Sequence, residues 1–385
     1  MRTLYRISFL LLLNASLVSA QDAGRPVLEW KGYLKDLPGL FFPGAGDSLR
    51  WMNLIHNRVN LKVNMGPRLT SRVELRNRVF FGSQVRKTPG FGSVIDRYPG
   101  FFDLSKLWVD RPSFVAHTVI DRLSVAYAGE KWDVTVGRQR INWGVNNIWN
   151  PNDIFNAYNF LDFDYEERPG NDAVRILHHS FGERSAEFAW KPGRTADTHI
   201  ASFLYKFNRK GYDYQVLGGV YNADWVLGAG WAGGIGENGF KGEVGYFHPR
   251  RRIFDTTGVL SASMMMDRTL KGEWYLSGSI LYNSRPTGGL GEGGIYSADL
   301  SAKSLFPFRW SLYLGAAKSI ETVYNLSAAL VYSPTRNTLV IFPSFSWNAR
   351  ENLDLDVTLQ SFFASDGGRY RAQGTALYLR GRWSF

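Results

Sequence analysis

The amino-acid sequence predicts an all-β fold, a transmembrane antiparallel up-and-down β-barrel of about 16 to 18 strands. Three observations predict it: an N-terminus organised like an export signal, an alternation of apolar and polar residues over most of the chain, and a last strand that ends in an aromatic residue. The 385 residues are 44% hydrophobic, yet the mean hydropathy is −0.22, which excludes a bundle of transmembrane helices.

The first twenty residues have the three zones of a secretory signal peptide. Arg2 and Arg6 make a basic start, Ile7–Leu13 is apolar, and Val18–Ala20 is a small-residue cleavage site. A membrane anchor is the alternative, but the apolar run falls short of the ~20 residues that a spanning helix needs. We therefore expect a cleaved signal peptide at 1–20 and a single outer-membrane barrel domain at 21–385.

Alternation with a period of two is the main structural signal of the mature chain. In Arg58–Met65 the odd-numbered residues are apolar, and in Thr70–Phe81 apolar residues alternate with charged ones, the charged ones being Arg72, Glu74, Arg76 and Arg78. Strands with so much charge on one side cannot be buried on both faces. Either a soluble antiparallel sheet or a barrel would satisfy this pattern, and apolar residues on nearly every strand favour the barrel.

The strand number follows from a count of about nineteen candidates, corrected because bacterial barrels generally have an even number. The segment Leu104–Asp110 is left outside that count, and the glycine-rich stretches around Gly233 and Gly293 are doubtful strands.

The lengths of the connections predict the topology. Gly66-Pro67 and Gly129-Glu130 are tight turns, whereas Asp36–Asn53, Gly82–Ala116 and Arg140–Asn171 are long loops. Short periplasmic turns and long extracellular loops are typical of such barrels, so we expect a periplasmic N-terminus.

The last strand of the chain alternates Leu377, Leu379, Gly381, Trp383 and Phe385 with polar or larger residues. An amphipathic strand that ends in Phe resembles the signal read by the barrel-assembly machinery. Trp383 and Phe385 are therefore the expected assembly signal, and that machinery and outer-membrane lipid are the expected partners.

A distinctive motif follows the strand Trp132–Gly137. Its residues are Arg138, Gln139, Arg140, Asn142, Trp143 and Gly144, followed by Asn150, Pro151 and Asp153. This stretch resembles a family of porin-like outer-membrane β-barrels of uncharacterised function. Its Gly-Arg-Gln, Trp-Gly and Asn-Pro elements are also similar to alginate-export-type barrels. The resemblance implies a β-barrel that is located in the outer membrane, and it indicates no substrate.

The same loop, residues 140–171, is predicted to fold into the lumen, since long segments without alternation are usually functional or disordered. Its charged residues are Asp162, Asp164, Glu166, Glu167 and Arg168. The acids would lie opposite the arginines that face the lumen. Together the two groups would form a constriction with an electric field across the pore. Alternatively, they hold the loop against the wall by ion pairs. A calcium site at Asp162, Asp164 and Glu166 is less favoured, because the usual ligand spacing is absent.

Composition excludes several other classes of protein. The absence of cysteine excludes disulfide scaffolds, zinc fingers and thiol enzymes, and no cofactor or metal is predicted. The net charge of +11 comes from bases that alternate with apolar residues instead of clustering, so nucleic-acid binding is not predicted.

We therefore predict an outer-membrane channel, not an enzyme, for passive diffusion of small hydrophilic solutes, with anions preferred because basic residues face the lumen. The predicted pore-lining residues are Arg58, Lys62, Arg72, Glu74, Arg76, Arg78, Arg380 and Arg382. Closure of the barrel would bring Arg380 and Arg382 beside Lys31 and Lys35. The alternatives are a plugged barrel that binds or exports a polysaccharide, and a barrel enzyme such as a phospholipase or protease, which would need a catalytic cluster at one rim.

Overall fold

The structure is a computed structural model that describes residues 27–44, 48–96, 100–157, 168–180, 182–251, 254, 256–287, 300–366 and 369–385. The described residues form nineteen strands: β1 Val27–Pro43, β2 Arg50–Asn64, β3 Leu69–Phe81, β4 Ser105–Arg111, β5 Phe114–Ala128, β6 Trp132–Gln139, β7 Asn171–His179, β8 Ser185–Lys191, β9 Ile200–Arg209, β10 Tyr212–Tyr221, β11 Asp224–Ile235, β12 Asn238–Pro249, β13 Val259–Leu270, β14 Trp274–Asn283, β15 Trp310–Ile320, β16 Tyr324–Ser333, β17 Thr338–Arg350, β18 Leu353–Asp366 and β19 Arg369–Ser384. Two short helices, α1 Ser83–Lys87 and α2 Phe91–Ile95, lie between β3 and β4.

The sheet closes on itself. Each wall strand pairs antiparallel with its neighbours, and β1 pairs with both β2 and β19. In the described sheet β3 pairs directly with β5, while β4 pairs with β5 alone, so the closed wall has eighteen strands. The predicted all-β transmembrane barrel of 16 to 18 strands is confirmed.

Strand β4 corresponds to the segment that the count from sequence left out. One edge of β5 pairs with β3. Along its other edge, the N-terminal half, Phe114–Val119, pairs with β4, and the C-terminal half, Leu123–Ala128, pairs with the short strand β6. The segment left outside the count is thus a strand, but it continues the position of β6 instead of adding one to the wall. The doubtful stretch at Gly233 lies within β11, and the one at Gly293 lies outside the described residues.

The two faces of the wall differ as the alternation requires. On β14 and β15 the residues Leu276, Leu312 and Leu314 point outward, and Leu314 is 61% exposed. On the same strands Leu281 and Ser311 point inward and are fully buried by segments inside the barrel. An exposed apolar surface on nearly every strand suits a hydrocarbon environment.

Among the described residues, no helix is both long and apolar enough to cross a membrane.

The two ends of the barrel also differ. The tight turns at 65–68, 129–131, 210–211, 236–237, 271–273, 321–323 and 351–352 share one end with both termini of the wall. The longer connections lie at the other end, together with two-residue turns at 112–113 and 222–223. The predicted long loop Asp36–Asn53 is wrong, because β1 extends to Pro43 and β2 begins at Arg50. Leu37 packs against Leu54, and the Asn53 side chain donates a 2.8 Å hydrogen bond to Asp36, so this stretch continues as a hairpin.

Phe385 takes part in the closure of the barrel. Its backbone N–H donates to the Gly32 carbonyl at 2.9 Å, and the Gly32 N–H donates to the Phe385 carbonyl at 2.8 Å. A Cβ at Gly32 would lie 2.2 Å from the Arg58 carbonyl oxygen and 2.8 Å from the Phe385 ring. Glycine at this position therefore lets the terminal ring lie flat on the first strand, between Trp30 and Trp383.

Candidate functional site

Basic side chains cover the inward face where the barrel closes. Register places Lys35 opposite both Arg382 and His56, Arg76 opposite Arg58, and Arg78 opposite His56. We call this surface the basic sector; its bases are Lys31, Lys35, Arg58, Lys62, Arg72, Arg76, Arg78, Arg380 and Arg382. On the same four strands, β19, β1, β2 and β3, the inward acids among the described residues are Glu29 and Glu74. The sector is therefore strongly basic.

Arg58 is the buried centre of the basic sector, with 1% of its side chain exposed. Its guanidinium donates to Asp121 at 2.8 Å, to Glu74 at 2.5 Å and to the Asn60 side chain at 3.0 Å. Glu74 lies on β3, and Asp121 lies at a bulge of β5, where the register with β3 shifts. Three strands are thus joined by one arginine, and this arginine is committed to wall structure instead of facing the solution.

The other bases of the sector are arranged around aromatic rings and acids. The guanidinium of Arg382 lies 4.7 Å from the ring centre of Tyr33, and the Lys35 ammonium lies 5.4 Å from it on the same ring. Arg380 donates to Asp356 of β18 at 2.7 Å. Aromatic faces hold cations without neutralising them, so this part of the wall keeps a positive potential.

Residues 140–157, which we call the in-folded segment, leave the wall after β6 and pack inside the barrel. Trp143 and Trp149 are buried, with 1% and 0% exposed. The Trp143 indole N–H donates to Glu187 of β8 at 2.7 Å, and the Asn146 side chain donates to Ser263 of β13 at 2.6 Å. The segment therefore lines the wall across several strands instead of leaving the barrel.

The glycine and the asparagine of the motif fit each other. A Cβ at Gly144 would lie 2.3 Å from the Asn150 side-chain oxygen, so only glycine leaves room for this approach. Trp143, Asn150 and Asp153 are buried, whereas Arg140 and Asn142 are exposed. The Trp-Gly and Asn-Pro elements are thus parts of one packed turn.

Glu243 of β12 anchors the middle of the in-folded segment. Its carboxylate accepts backbone N–H bonds from Val145 at 2.5 Å, Asn146 at 2.8 Å and Asn152 at 2.9 Å. The Glu243 side chain is 1% exposed. A single carboxylate thus satisfies three buried donors that a loop without secondary structure would otherwise leave unpaired.

Two ion pairs fix the base of the loop. Arg138 donates to Asp172 at 2.7 Å, and both side chains are buried. Arg168 pairs with Asp153 and donates to the Asn142 side chain at 3.3 Å. Burial raises the pKa of Asp153 above its ordinary value, and the guanidinium of Arg168 opposes that shift.

Two further segments enter the barrel. Ala302, Leu305, Phe306 and Phe308, before β15, are buried, and Phe306 lies 6.3 Å from Trp149 between ring centres. Helix α1 brings Val85 into a cluster with Leu37, Leu54, Phe80 and Tyr378 of the wall. The lumen is therefore narrowed from several sides.

The basic sector and the in-folded segment lie on opposite sides of the lumen. In an eighteen-strand ring β11 is nine steps from β1 in either direction. The side chain of Asn152 donates to the Ala229 carbonyl of β11 at 2.8 Å. A solute that crosses the lumen would therefore pass between a basic wall and a hydrogen-bonded segment whose charged residues are Arg140 and Asp153.

The structure places most of the residues predicted from the sequence. All eight predicted pore-lining residues point inward on β2, β3 and β19. The predicted constriction acids, Asp162, Asp164, Glu166 and Glu167, lie outside the described residues, as do the signal peptide at 1–20 and the calcium alternative. Sequence reasoning missed Glu243, Glu187 and Asp121. The available signal for Glu243 was its place as an acid on a glycine-rich amphipathic strand.

Comparison with solved structures identifies the fold. OccAB4 of Acinetobacter baumannii aligns with a TM-score of 0.57 at 9% identity, covering 93% of this chain and 98% of that one. OccK9 (OpdG) of Pseudomonas aeruginosa aligns with a TM-score of 0.57 at 11% identity over 93% and 98% of the two chains. The outer membrane protein opdK from Pseudomonas aeruginosa aligns with a TM-score of 0.54 at 8% identity over 93% and 99%.

No protein-family model matches the chain, and no curated protein matches it. The similarity to alginate-export-type barrels therefore stays a prediction. The architecture itself is that of porin-like outer-membrane barrels.

Proposed function

We propose that this protein is an outer-membrane channel for the passive diffusion of small hydrophilic solutes, with a preference for anions. The observation that carries the proposal is the basic sector, which faces the in-folded segment across the lumen. Rings and walls of one sign of charge attract counter-ions into a pore and exclude ions of the same sign. The closed barrel that the chain shares with OccAB4, OccK9 and opdK supports a path through the lumen.

Planar-bilayer recording of the purified protein tests the channel itself. Stepwise single-channel currents are expected. A folded barrel that stays silent would contradict the proposal and favour the plugged form.

Reversal of one charge in the basic sector should weaken the anion preference. Arg76 is 6% exposed and lies opposite Arg58, so Arg76→Glu replaces a base by an acid at the centre of the sector. Under a tenfold KCl gradient, the reversal potential of the wild type should indicate anion preference, and that of the variant should move towards zero. Arg268→Glu is the matched control and should leave the potential unchanged, because Arg268 lies near the end of β13 opposite the outward-facing Leu276 and pairs with the exposed Glu237. A cation-selective wild type would show that Asp354, Asp356 and the loop acids control the field.

The acids Asp162, Asp164, Glu166 and Glu167 belong to this proposal as a constriction between Ala157 and Arg168. Arg168 pairs with Asp153 of the in-folded segment, and this contact supports the proposal. Neutralising the four acids together should strengthen the anion preference.

A plugged barrel that binds or exports a polysaccharide is the second candidate. The buried residues of the in-folded segment and of Ala302–Phe308 favour it, because they occupy lumen space. The motif similar to alginate-export-type barrels points the same way. The bilayer recording separates the two candidates.

We propose that the protein is located in the outer membrane and that it is exported by a signal peptide at 1–20, which is then cleaved. The proposal is supported by the three zones of that segment and by the apolar outward face of the barrel. Trp383 and Phe385 are proposed as the signal that the barrel-assembly machinery reads.

Deletion of Phe385 should strongly reduce the amount of assembled protein. The residue contributes two backbone hydrogen bonds to Gly32 and a ring that contacts Trp30 and Trp383. Assembly is measured as the fraction of outer-membrane protein that migrates faster on a gel when unheated than when boiled. Phe385→Tyr keeps the ring and the backbone and serves as the control. Wild-type levels of the truncated protein would contradict the role of Phe385.

A further inference from the structure

A recess opens in the inward face of β14 to β18, between the in-folded segment and the end with the tight turns. Its volume is about 260 Å³. Small residues, Gly315, Ala317 and Ala329, make the room. We call it the hydroxyl recess because Ser277, Ser327, Ser344 and Thr358 line it. The described residues that line it include no Lys, Arg, Asp or Glu, so it contrasts with the basic sector.

The polar groups of the recess are hydroxyls, which can bind more partners, and the side-chain amide of Gln360. Ser327 and Ser344 share a hydrogen bond of 3.0 Å, and the Tyr313 hydroxyl is hydrogen bonded to Ser277. Each hydroxyl has one donor and two acceptor positions, so one shared bond leaves further capacity on both sides. Such a surface suits a ligand that itself carries hydroxyls.

Aromatic rings lie beside these hydroxyls. Tyr275, Tyr313 and Phe342 line the recess. The ring of Tyr313 lies 6.4 Å from Trp149 of the in-folded segment and is nearly perpendicular to it, so its position is fixed by packing. Rings offer an apolar surface to the C–H face of a ring-shaped or extended polyol, while hydroxyls bind its edge.

The recess adjoins the basic sector through strand β18. Thr358 lies in the recess, and Asp356, two residues away on the same face, binds Arg380 at 2.7 Å. Two residues along a strand span about 7 Å. Thr358 is also directly opposite Tyr378 on β19, the strand that carries Arg380 and Arg382. A solute that extends from Thr358 towards β19 therefore approaches the guanidinium of Arg380, which is paired with Asp356.

We infer that the hydroxyl recess binds the polyhydroxylated part of an anionic solute, so that the channel selects sugar acids or sugar phosphates over anions without hydroxyls. This inference rests on the proposed channel function and adds a solute class to it. Charge alone attracts every small anion into the basic sector, whereas the recess distinguishes among them by hydrogen bonding.

The experiment measures how long single solutes block the current of one channel. Gluconate is compared with hexanoate, which has the same carbon number and charge but no chain hydroxyls, and with neutral glucose; glucose 6-phosphate tests whether a phosphate replaces the carboxylate. In the wild type gluconate should block about three to ten times longer than hexanoate, as expected for one or two additional hydrogen bonds. Glucose should block more briefly than gluconate.

The double variant Ser327→Ala with Ser344→Ala should remove most of that difference and leave the hexanoate block unchanged. The matched control is Ser311→Ala with Ser333→Ala. This pair also shares a 3.0 Å hydrogen bond, but it is buried, with 0% and 1% exposed, outside the recess. A filling variant, Ala329→Phe, should shorten the gluconate block without altering any charge. Unchanged conductance in KCl shows that each variant has folded.

The possible results separate this inference from the proposed function. Equal block times for gluconate and hexanoate in an anion-selective wild-type channel would overturn the inference and leave the channel function standing. Loss of the gluconate block in the Ser311 and Ser333 control would overturn it as well. If the wild type gives no current, the channel function fails. Equilibrium dialysis of labelled gluconate against wild type and double variant then tests the recess, and equal binding would overturn the inference.

Discussion

Glu243→Ala should release the in-folded segment and raise the single-channel conductance. The substitution leaves three buried N–H groups of Val145, Asn146 and Asn152 without their acceptor. Each unpaired buried donor costs about 1–3 kcal/mol, so the segment should lose about 3 kcal/mol or more of its attachment to the wall. The measurements are the step size and open-channel noise in planar bilayers, and the temperature at which the unheated gel form is lost.

A graded series separates the hydrogen bonds of Glu243 from its charge. Glu243→Gln keeps one acceptor oxygen and should lie between the wild type and Glu243→Ala. Asp354→Ala removes a carboxylate that faces the lumen on β18, without a hydrogen bond to the in-folded segment, and should leave the step size unchanged. If Glu243→Ala conducts like the wild type and melts at the same temperature, the carboxylate does not hold the segment.

Arg58→Met should be the most destabilising single change in the basic sector. It removes the guanidinium that Glu74 now binds, and it leaves Asp121, which is 2% exposed, with the longer 3.6 Å contact to Arg122 in place of the 2.8 Å contact to Arg58. Removing one partner of a buried ion pair costs about 3–5 kcal/mol, because the remaining charge stays buried. The measurement is the free energy of unfolding in urea, followed through the shift between the folded and unfolded gel bands.

The control for Arg58 is Lys62→Met on the same strand. Lys62 pairs with Glu29 at 3.1 Å, but both side chains are more than one-third exposed, so water replaces the lost contact and a much smaller effect is expected. The triple variant Arg58→Met, Glu74→Gln and Asp121→Asn also removes the two carboxylate charges that Arg58 binds and should recover much of the lost stability. If Arg58→Met and Lys62→Met destabilise equally, the burial of Arg58 has no energetic consequence.

Alternation in the sequence was enough to predict the barrel and the direction of its charged residues. A strand that faces hydrocarbon on one side and a polar lumen on the other must alternate with a period of two. The positions Arg72, Arg76 and Arg78 therefore indicate one face from sequence alone, and the structure places all three inward. The segment Leu104–Asp110, which the count left out, does pair as a strand, but it shares the wall position of β6 and adds no strand to the ring.

The tertiary structure alone decided which of these residues face solution and which are buried in the wall. Arg58 meets Asp121 from 63 residues away, and Asn146 meets Ser263 from 117 residues away. Glu243 accepts hydrogen bonds from backbone N–H groups, which every residue except proline carries and which therefore leave no mark in the sequence. Alternation is a local property of one strand, whereas closure of the ring and packing of the in-folded segment depend on contacts between distant residues. For that physical reason the sequence determined the wall of this protein, and only the folded chain determined what the lumen contains.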